Sequence, residues 1–113
     1  MNNNYLRKYR IRTSKDYREV RKMGCKLYTP HFVLFIRENG CDHPRLGVTV
    51  SRRVGNAVTR NRIKRYIKEF FRTNRYDLYN YDYSIIARNH AHVLLYGDIN
   101  KELSILIGNT VNI

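Results

Sequence analysis

The clearest hydrophobic pattern in the chain lies between residues 51 and 72. Apolar side chains recur there at intervals of three and four residues, which is the spacing of one face of an α-helix, at Ile63, Tyr66, Ile67, Phe70 and Phe71. Gly55 interrupts the segment before this pattern, and the side chain of Asn56 can cap the first turn of a helix. The pattern therefore predicts an amphipathic helix over residues 57–73 whose apolar face packs on a core.

Three other segments have the residue types and the pattern of β-strands. Residues 32–36 are a run of five apolar residues, and residues 46–51 alternate apolar with small or polar side chains. A third strand is predicted over residues 83–88, in the sequence YSIIAR. Because only a turn-like segment, 38–44, separates the first two strands, we expect them to pair as a hairpin.

Two further helices are predicted nearer the ends of the chain. The first spans residues 15–23, with Ser14 as its N-cap and Gly24 as its stop signal. The last follows Asp98 as N-cap and closes at Gly108, with its apolar face on Ile99, Leu103, Leu106 and Ile107. Residues 1–12 are polar and basic, and we expect them to form an extended arm.

The predicted order of elements is α-β-β-α-β-α, which is typical of an α+β protein. We expect a two-layer α/β sandwich with helices packed on a small mixed sheet. The chain has 113 residues, of which 42% are hydrophobic, so it is suited to a single domain over 1–113. No apolar run approaches the roughly 20 residues that span a bilayer, and the N-terminus has no apolar core of a signal peptide. We therefore expect a cytoplasmic protein with no membrane partner and with Cys25 and Cys41 as free thiols.

The net charge of the chain indicates the class of molecule that it binds. The chain carries 22 Lys and Arg against 9 Asp and Glu, a formal net charge of +13. Two segments hold the surplus, since residues 1–26 have nine basic and two acidic residues and residues 52–72 have eight and one. Such a charge raises the local concentration of polyanions and makes their binding fast and salt-sensitive. A phosphate backbone is the natural partner.

Catalytic and metal-binding patterns are not evident in the sequence. Hydrolysis by a protein site needs clustered carboxylates for metal ions or a placed pair of titratable groups, and the nine acidic residues are scattered. The cysteines and histidines, including His90 and His92, match no zinc-type spacing. We therefore predict no catalytic residues and no metal ligands in this chain.

The segment RNRIKR, residues 60–65, lies in SRRVGNAVTRNRIKRYIKEFFR, residues 51–72, between two predicted strands. In that setting it closely resembles the signature of the protein subunit of bacterial ribonuclease P. Other segments follow the same family in order and spacing, namely SKDYREVRKMG (14–24), FVLF (32–35), LGVTVS (46–51) and DYSIIAR (82–88). The resemblance therefore extends over nearly the whole chain.

The resemblance implies a partner and a reaction. The chain would be the small partner of a large catalytic RNA, and the pair would remove the 5′ leader of precursor tRNA by hydrolysing one phosphodiester bond. The chemistry would belong to Mg²⁺ held by the RNA subunit and substrate, so the chain alone is expected to be inactive and, without RNA, monomeric. The resemblance also implies a left-handed crossover around the basic helix, contrary to the general preference for right-handed connections.

The resemblance further implies two sets of binding residues. The RNA subunit is expected to contact the basic helix and the end of the strand before it, through Arg52, Arg53, Arg60, Asn61, Arg62, Lys64, Arg65 and Lys68. The single-stranded leader is expected to lie in a cleft between the first helix and the sheet, against Tyr17, Arg21 and Phe35. Aromatic rings suit this role because stacking on bases is sequence-tolerant. Family members often carry a second aromatic where this chain has Arg21, whose guanidinium plane can continue the stack or bind phosphate.

Other interpretations stay open at the level of sequence. The cationic helix face could be merely solvated, and Tyr17 and Phe35 could be ordinary core residues. The alternative function is that of a noncatalytic ribosomal or RNA-chaperone protein using the same basic segments. A protein-only nuclease is the weakest alternative, because the acidic residues are scattered.

Overall fold

The computed structural model describes the backbone of residues 7–111 and the side chains of residues 8–108. Three helices and four strands make up this part of the chain. In chain order they are α1 (Ser14–Met23), β1 (Cys25–Tyr28), β2 (Phe32–Glu38), β3 (Arg45–Val50), α2 (Ala57–Asn74), β4 (Tyr81–Ala87) and α3 (Tyr96–Val111). The α+β class and the mixed sheet are confirmed.

The four strands form one sheet in the order β1-β2-β4-β3. β2 runs antiparallel to both β1 and β4, whereas β3 and β4 are parallel neighbours joined through α2. The predicted hairpin of the second and third strands is therefore wrong, because β4 lies between β2 and β3. β4 is buried on both faces over most of its length, and its two edges are hydrogen-bonded to β2 and β3.

Strand β1 is absent from the predicted order of elements. Its four residues, CKLY, are mostly exposed and follow the end of α1 directly. With one half-buried position, Leu27, the segment lacks the alternation of a half-buried strand. Its extended conformation comes from antiparallel pairing with β2, where Lys26 lies opposite Phe35.

The hydrophobic core lies between one face of the sheet and the helices α2 and α3. The sheet contributes residues such as Phe32, Leu34, Leu46, Tyr83 and Ile85. The predicted apolar stripe of α2 enters this core, with Ile63, Ile67, Phe70 and Phe71 buried and Tyr66 packed at its margin. α3 adds Ile99, Leu103 and Leu106, as its apolar spacing predicts.

The helix caps follow the sequence closely but not at every position. Asn56 caps α2 as predicted, because its side-chain oxygen accepts a hydrogen bond from the Thr59 N–H at 2.9 Å. The cap of α1 is Thr13 rather than Ser14, since the Thr13 hydroxyl accepts from the Asp16 N–H at 3.0 Å. α3 begins at Tyr96, ahead of Asp98, whose carboxylate lies in the first turn and accepts from the Leu95 N–H.

The N-terminal segment differs from the predicted extended arm. From Arg7 onward it lies along the edge of β3, where Arg10 bridges to Leu46 and the Ile11 N–H donates to the Leu46 carbonyl at 3.0 Å. Tyr9 and Ile11 are buried. The buried side chains of Tyr9 and Ile11 therefore hold this basic segment on the edge of the sheet. The first six residues of the predicted arm are outside the described residues.

The face of the sheet opposite α2 and α3, called the outer face below, is partly covered by α1. In the strand register, one row of this face crosses the sheet from β1 to β3 as Lys26, Phe35, Ser84 and Gly47. α1 lies over the neighbouring row, where Glu19 pairs with Arg37 at 3.2 Å. Gly24 lets the helix end close to β2, because a Cβ there would lie 2.2 Å from the Ile36 carbonyl oxygen.

A buried carboxylate ties this arrangement together. Asp82, only 5% exposed, accepts hydrogen bonds from Arg45 Nε at 2.7 Å and Nη2 at 2.6 Å. The Asn39 side chain donates to the same carboxylate at 3.1 Å. Arg45 also lies 3.8 Å from Asp16 of α1, and the hydrogen bonds that it donates to Asp82 raise the pKa of its guanidinium. The network therefore connects β3, β4 and α1 through one charged pair.

Candidate nucleic-acid interface

The cationic face of α2 and the turn before it form one surface. Arg52 and Arg53 lie in a short 3₁₀ turn, Arg52–Val54, that follows β3 directly. Both are exposed, as are Asn61 and Arg65 on the helix. The other residues predicted to bind the RNA subunit are half-buried along the same helix, at Arg60, Arg62, Lys64 and Lys68. We call this set the α2 surface.

Three cations of the α2 surface contact backbone carbonyls or an aromatic ring. Arg60 Nε donates to the Gly55 carbonyl at 3.1 Å, and Arg62 Nη2 donates to the His92 carbonyl at 2.9 Å. The Arg65 guanidinium lies 5.4 Å from the centroid of the Tyr66 ring on its own helix.

Carboxylates are scarce at this surface. Across residues 8–108, no carboxylate lies within ion-pair distance of Arg60, Arg62, Lys64 or Arg65, and the ion pair of α2 joins Arg72 to Glu69. Burial lowers the pKa of Lys68, and the positive charges of Lys64 and Arg10 lower it further. Like charges are therefore held close together, an arrangement that an external polyanion would stabilise.

A second surface lies in the cleft between α1 and the outer face. The Tyr17 ring lies directly over Gly47, where a Cβ would approach its Cε1 and hydroxyl atoms to 2.5 Å. Burial raises the pKa of the Tyr17 hydroxyl, against the lowering effects of a backbone hydrogen bond at Val48 and of the Arg21 charge. Phe35, half-buried, belongs to the same row two strands away from Gly47, or about 10 Å at the usual strand spacing.

The structure brings two of the three residues predicted to bind the leader, Tyr17 and Arg21, into one cavity, and Phe35 lies outside it on the same face of the sheet. Tyr17 and Arg21 line the same open cavity of about 300 Å³, together with Ser14, Arg18 and Thr49. Phe35 lies on the outer face beyond Ser84, whose buried hydroxyl has no hydrogen-bond partner in the described part of the chain. Tyr17 and Phe35 are both half-buried, and neither belongs to the hydrophobic core.

Sequence reasoning did not single out two other cations near these surfaces. Arg88 follows β4 and lines an open cavity of about 440 Å³ with Ser51 and Arg53. Because β3 and β4 are parallel, their carboxyl ends meet there, whereas the predicted hairpin of β2 and β3 does not bring Arg88 next to Arg53. Arg18, one turn from Arg21 on α1, is the other.

Metal-binding clusters and membrane-spanning helices are both absent from the described part of the chain. In residues 7–111, no group of three or more His, Cys, Asp or Glu side chains is placed to hold a metal ion. None of the helices described here has the length and apolar character to cross a membrane.

Fold and surfaces together define a small, basic α+β protein whose exposed cations suit a polyanionic partner. The family model described as Ribonuclease P matches residues 6–111. The chain therefore belongs to the ribonuclease P protein family.

Individual relatives agree with this assignment. The ribonuclease P protein component of Syntrophus aciditrophicus is 43% identical over 100 residues, which cover 87% of this chain and 83% of that relative. The solved structure of the Staphylococcus aureus RNase P protein is similar with a TM-score of 0.86 and 34% identity, over 90% of this chain and 94% of that one. The RNase P protein from Thermotoga maritima has a TM-score of 0.81 and 30% identity, over 88% and 96% of the two chains.

Proposed function

We propose that this chain is the protein subunit of a bacterial ribonuclease P holoenzyme. It binds the catalytic RNA subunit through the α2 surface and the 5′ leader of precursor tRNA in the cleft, and so promotes removal of the leader. Family membership supports the role in tRNA processing. The observation that supports binding of the RNA subunit is the cationic face of α2, where Arg60, Arg62, Lys64 and Arg65 have no carboxylate partner among residues 8–108.

The α2 surface is suited to a folded RNA because its charges are fixed on a rigid scaffold. The apolar stripe of α2 is buried, so the helix cannot rotate its cations away from solvent. Arg60 and Arg62 are further held by backbone carbonyls, which leave the remaining guanidinium hydrogens for phosphate. Binding of this kind releases counterions and weakens as salt concentration rises.

The cleft is suited to a single strand of variable sequence. Tyr17 and Phe35 offer ring faces for stacking, and Arg21 adds a charge at the rim. Every base has a π-face, so such a site accepts many leader sequences, as a tRNA-processing enzyme requires.

In this proposal, hydrolysis is carried out by the RNA subunit with its Mg²⁺, and the protein binds and positions the substrate. The chain therefore cleaves nothing by itself, is monomeric in the absence of RNA, and works in the cytoplasm.

Reconstitution tests the proposal. The chain, its cognate RNA subunit and precursor tRNA are mixed at modest Mg²⁺ concentration, and cleavage is measured with and without the protein at low and physiological salt. We expect the protein to raise cleavage under both conditions. Unchanged cleavage would refute the proposal, cleavage by RNA-free protein would favour a protein nuclease, and co-sedimentation with ribosomes without any processing effect would favour a ribosomal role.

A charge-matched pair of variants tests the α2 surface. Arg65→Gln removes an exposed charge from α2, and Lys101→Gln removes an exposed charge from α3. Arg65 is a cleaner probe than Arg62, because Arg62→Ala also removes the hydrogen bond to the His92 carbonyl. We expect Arg65→Gln to weaken affinity for the RNA subunit more than Lys101→Gln does, in a filter-binding titration. Equal losses would contradict the assigned surface.

A further inference from the structure

The outer face continues past the cleft to β1, at the free edge of the sheet. Lys26 and Tyr28 lie on the same face as Phe35, because Lys26 pairs with Phe35 and Tyr28 with Val33 in the antiparallel register. Tyr28 has 68% of its surface exposed, so its ring is open to a ligand. A second row of the outer face runs from Tyr28 through Val33 and Ile86 to Thr49, which lines the cavity beside Tyr17.

Lys26 lies close to two aromatic rings, the exposed Tyr28 and the half-buried Phe35. Its Nζ lies 5.8 Å from the centroid of the Tyr28 ring and 5.8 Å from that of Phe35. A cation between two accessible rings offers a nucleotide both a phosphate partner and a stacking face, the combination that single-strand-binding surfaces use. The two rings and the ammonium group therefore extend the chemistry of the cleft toward β1.

The charge of the outer face suits an anionic strand along this route. Arg18, Arg21 and Lys26 are exposed around it. In the described residues, the carboxylates on this side are occupied by internal pairs, Asp82 with Arg45 and Glu19 with Arg37. A phosphate chain crossing from Thr49 to Tyr28 would therefore meet cations and neutralised acids.

We propose that the 5′ leader crosses the outer face, and that nucleotides beyond those held at Tyr17 and Phe35 stack on Tyr28 with phosphate at Lys26. This inference rests on the proposed function. The α2 surface continues from β3 through Arg52 and Arg53, so the leader leaves the RNA subunit on the β3 side and reaches β1 last. The route spans three strand spacings, about 14 Å, so only the longer leaders reach Tyr28.

A leader-length series with the reconstituted holoenzyme tests this route. Binding of precursor tRNAs with leaders of increasing length is measured for the unmodified protein, Tyr17→Ala, Tyr28→Ala, Tyr28→Trp and Lys26→Gln. Tyr76→Ala is the matched control, because Tyr76 is an exposed tyrosine, 83% accessible, in the 3₁₀ turn after α2. Thermal unfolding of each variant confirms that the fold is kept.

We expect Tyr28→Ala to weaken binding about fivefold or more, and only for leaders longer than those at which Tyr17→Ala first has an effect. Tyr28→Trp should retain the affinity, and Lys26→Gln should lower the salt dependence for long leaders by about one phosphate contact. A loss for Tyr28→Ala equal at all leader lengths, or no larger than that of Tyr76→Ala, would overturn the route while leaving the proposed function intact. Absence of any leader-dependent effect of Tyr17→Ala would instead overturn the cleft of the proposed function.

Discussion

Replacing Gly47 with alanine should displace the Tyr17 ring without removing it. The new Cβ would lie 2.5 Å from Tyr17 Cε1 and from its hydroxyl oxygen, whereas ordinary contacts of a Cβ are 3.4–4 Å. The ring must therefore move by about 1 Å or more to restore normal packing. Because the ring is the far end of a side chain at the rim of the cleft, it can move outward while the backbone of β3 stays in place.

The expected change in stability is small. Alanine reduces the conformational entropy of the unfolded chain relative to glycine, a gain of about 0.4–1 kcal/mol. Displacing Tyr17 removes its hydrogen bond with the Val48 backbone, a loss of about 0.5–1.5 kcal/mol. The two contributions nearly cancel, so the free energy of unfolding should change by less than about 1 kcal/mol.

The expected change in leader binding is larger. If Tyr17 stacks on a base, loss of that stack costs about 1–3 kcal/mol, or roughly 5- to 150-fold in affinity. The assay compares the affinity of the holoenzyme for precursor tRNA and for leaderless tRNA, with urea unfolding measured in parallel. Gly97→Ala is the control, because a Cβ at Gly97 has nothing within 4 Å.

The combination of results decides the assignment. We expect Gly47→Ala to lose affinity only for the leader-bearing substrate, approaching the behaviour of Tyr17→Ala, while Gly97→Ala binds both substrates normally. Equal losses for leaderless and leader-bearing tRNA, or unchanged affinity in Gly47→Ala with a shifted Tyr17 ring, would refute the role of Tyr17 as a stacking platform.

Three other predictions follow from the charged groups of the structure. Asp82→Ala should lower the free energy of unfolding by an amount toward the lower end of roughly 3–5 kcal/mol, because it leaves the partly buried Arg45 without its carboxylate partner. The midpoint of urea unfolding measures this loss, and Asp77→Ala, at an exposed position, is the control. Burial alone would raise the pKa of Glu102, but hydrogen bonds from Thr29 and His31 outweigh it and lower that pKa below 4.5. The unmodified protein should therefore be more stable than Glu102→Gln above about pH 4.5, and this difference in stability should disappear as pH falls through the lowered pKa. Thermal unfolding of both proteins at a series of pH values measures the difference. Affinity for the RNA subunit should fall by roughly three to five decades between 50 and 200 mM salt if about 6–10 phosphates are contacted, and a flat salt dependence would argue against the α2 surface.

Local patterns in the sequence predicted much of this molecule. The apolar stripe and the Asn56 cap of α2 depend on spacings within a few turns, and both are found where the sequence indicates. The run at residues 32–36 and the alternation at 46–51 likewise lie in β2 and β3. The concentration of charge on one side of α2 follows from the same periodicity, since a helix whose apolar residues are buried must present its remaining residues outward.

The pairing of distant segments could not be predicted from the sequence, because it depends on which surfaces remain uncovered after the helices and strands form. β4 lies between β2 and β3, where its residues, including the polar Asp82 and Ser84, are covered on both faces of the sheet, and β1 is extended because β2 offers it a partner. Tyr17 lies over Gly47 only because the sheet register brings a residue without a side chain beneath α1. The helices, most of the strands and the position of the charge along the chain therefore follow from local patterns of residues. The order of the strands in the sheet and the aromatic rings that face the cleft follow from packing between residues far apart in the chain, which local patterns do not specify.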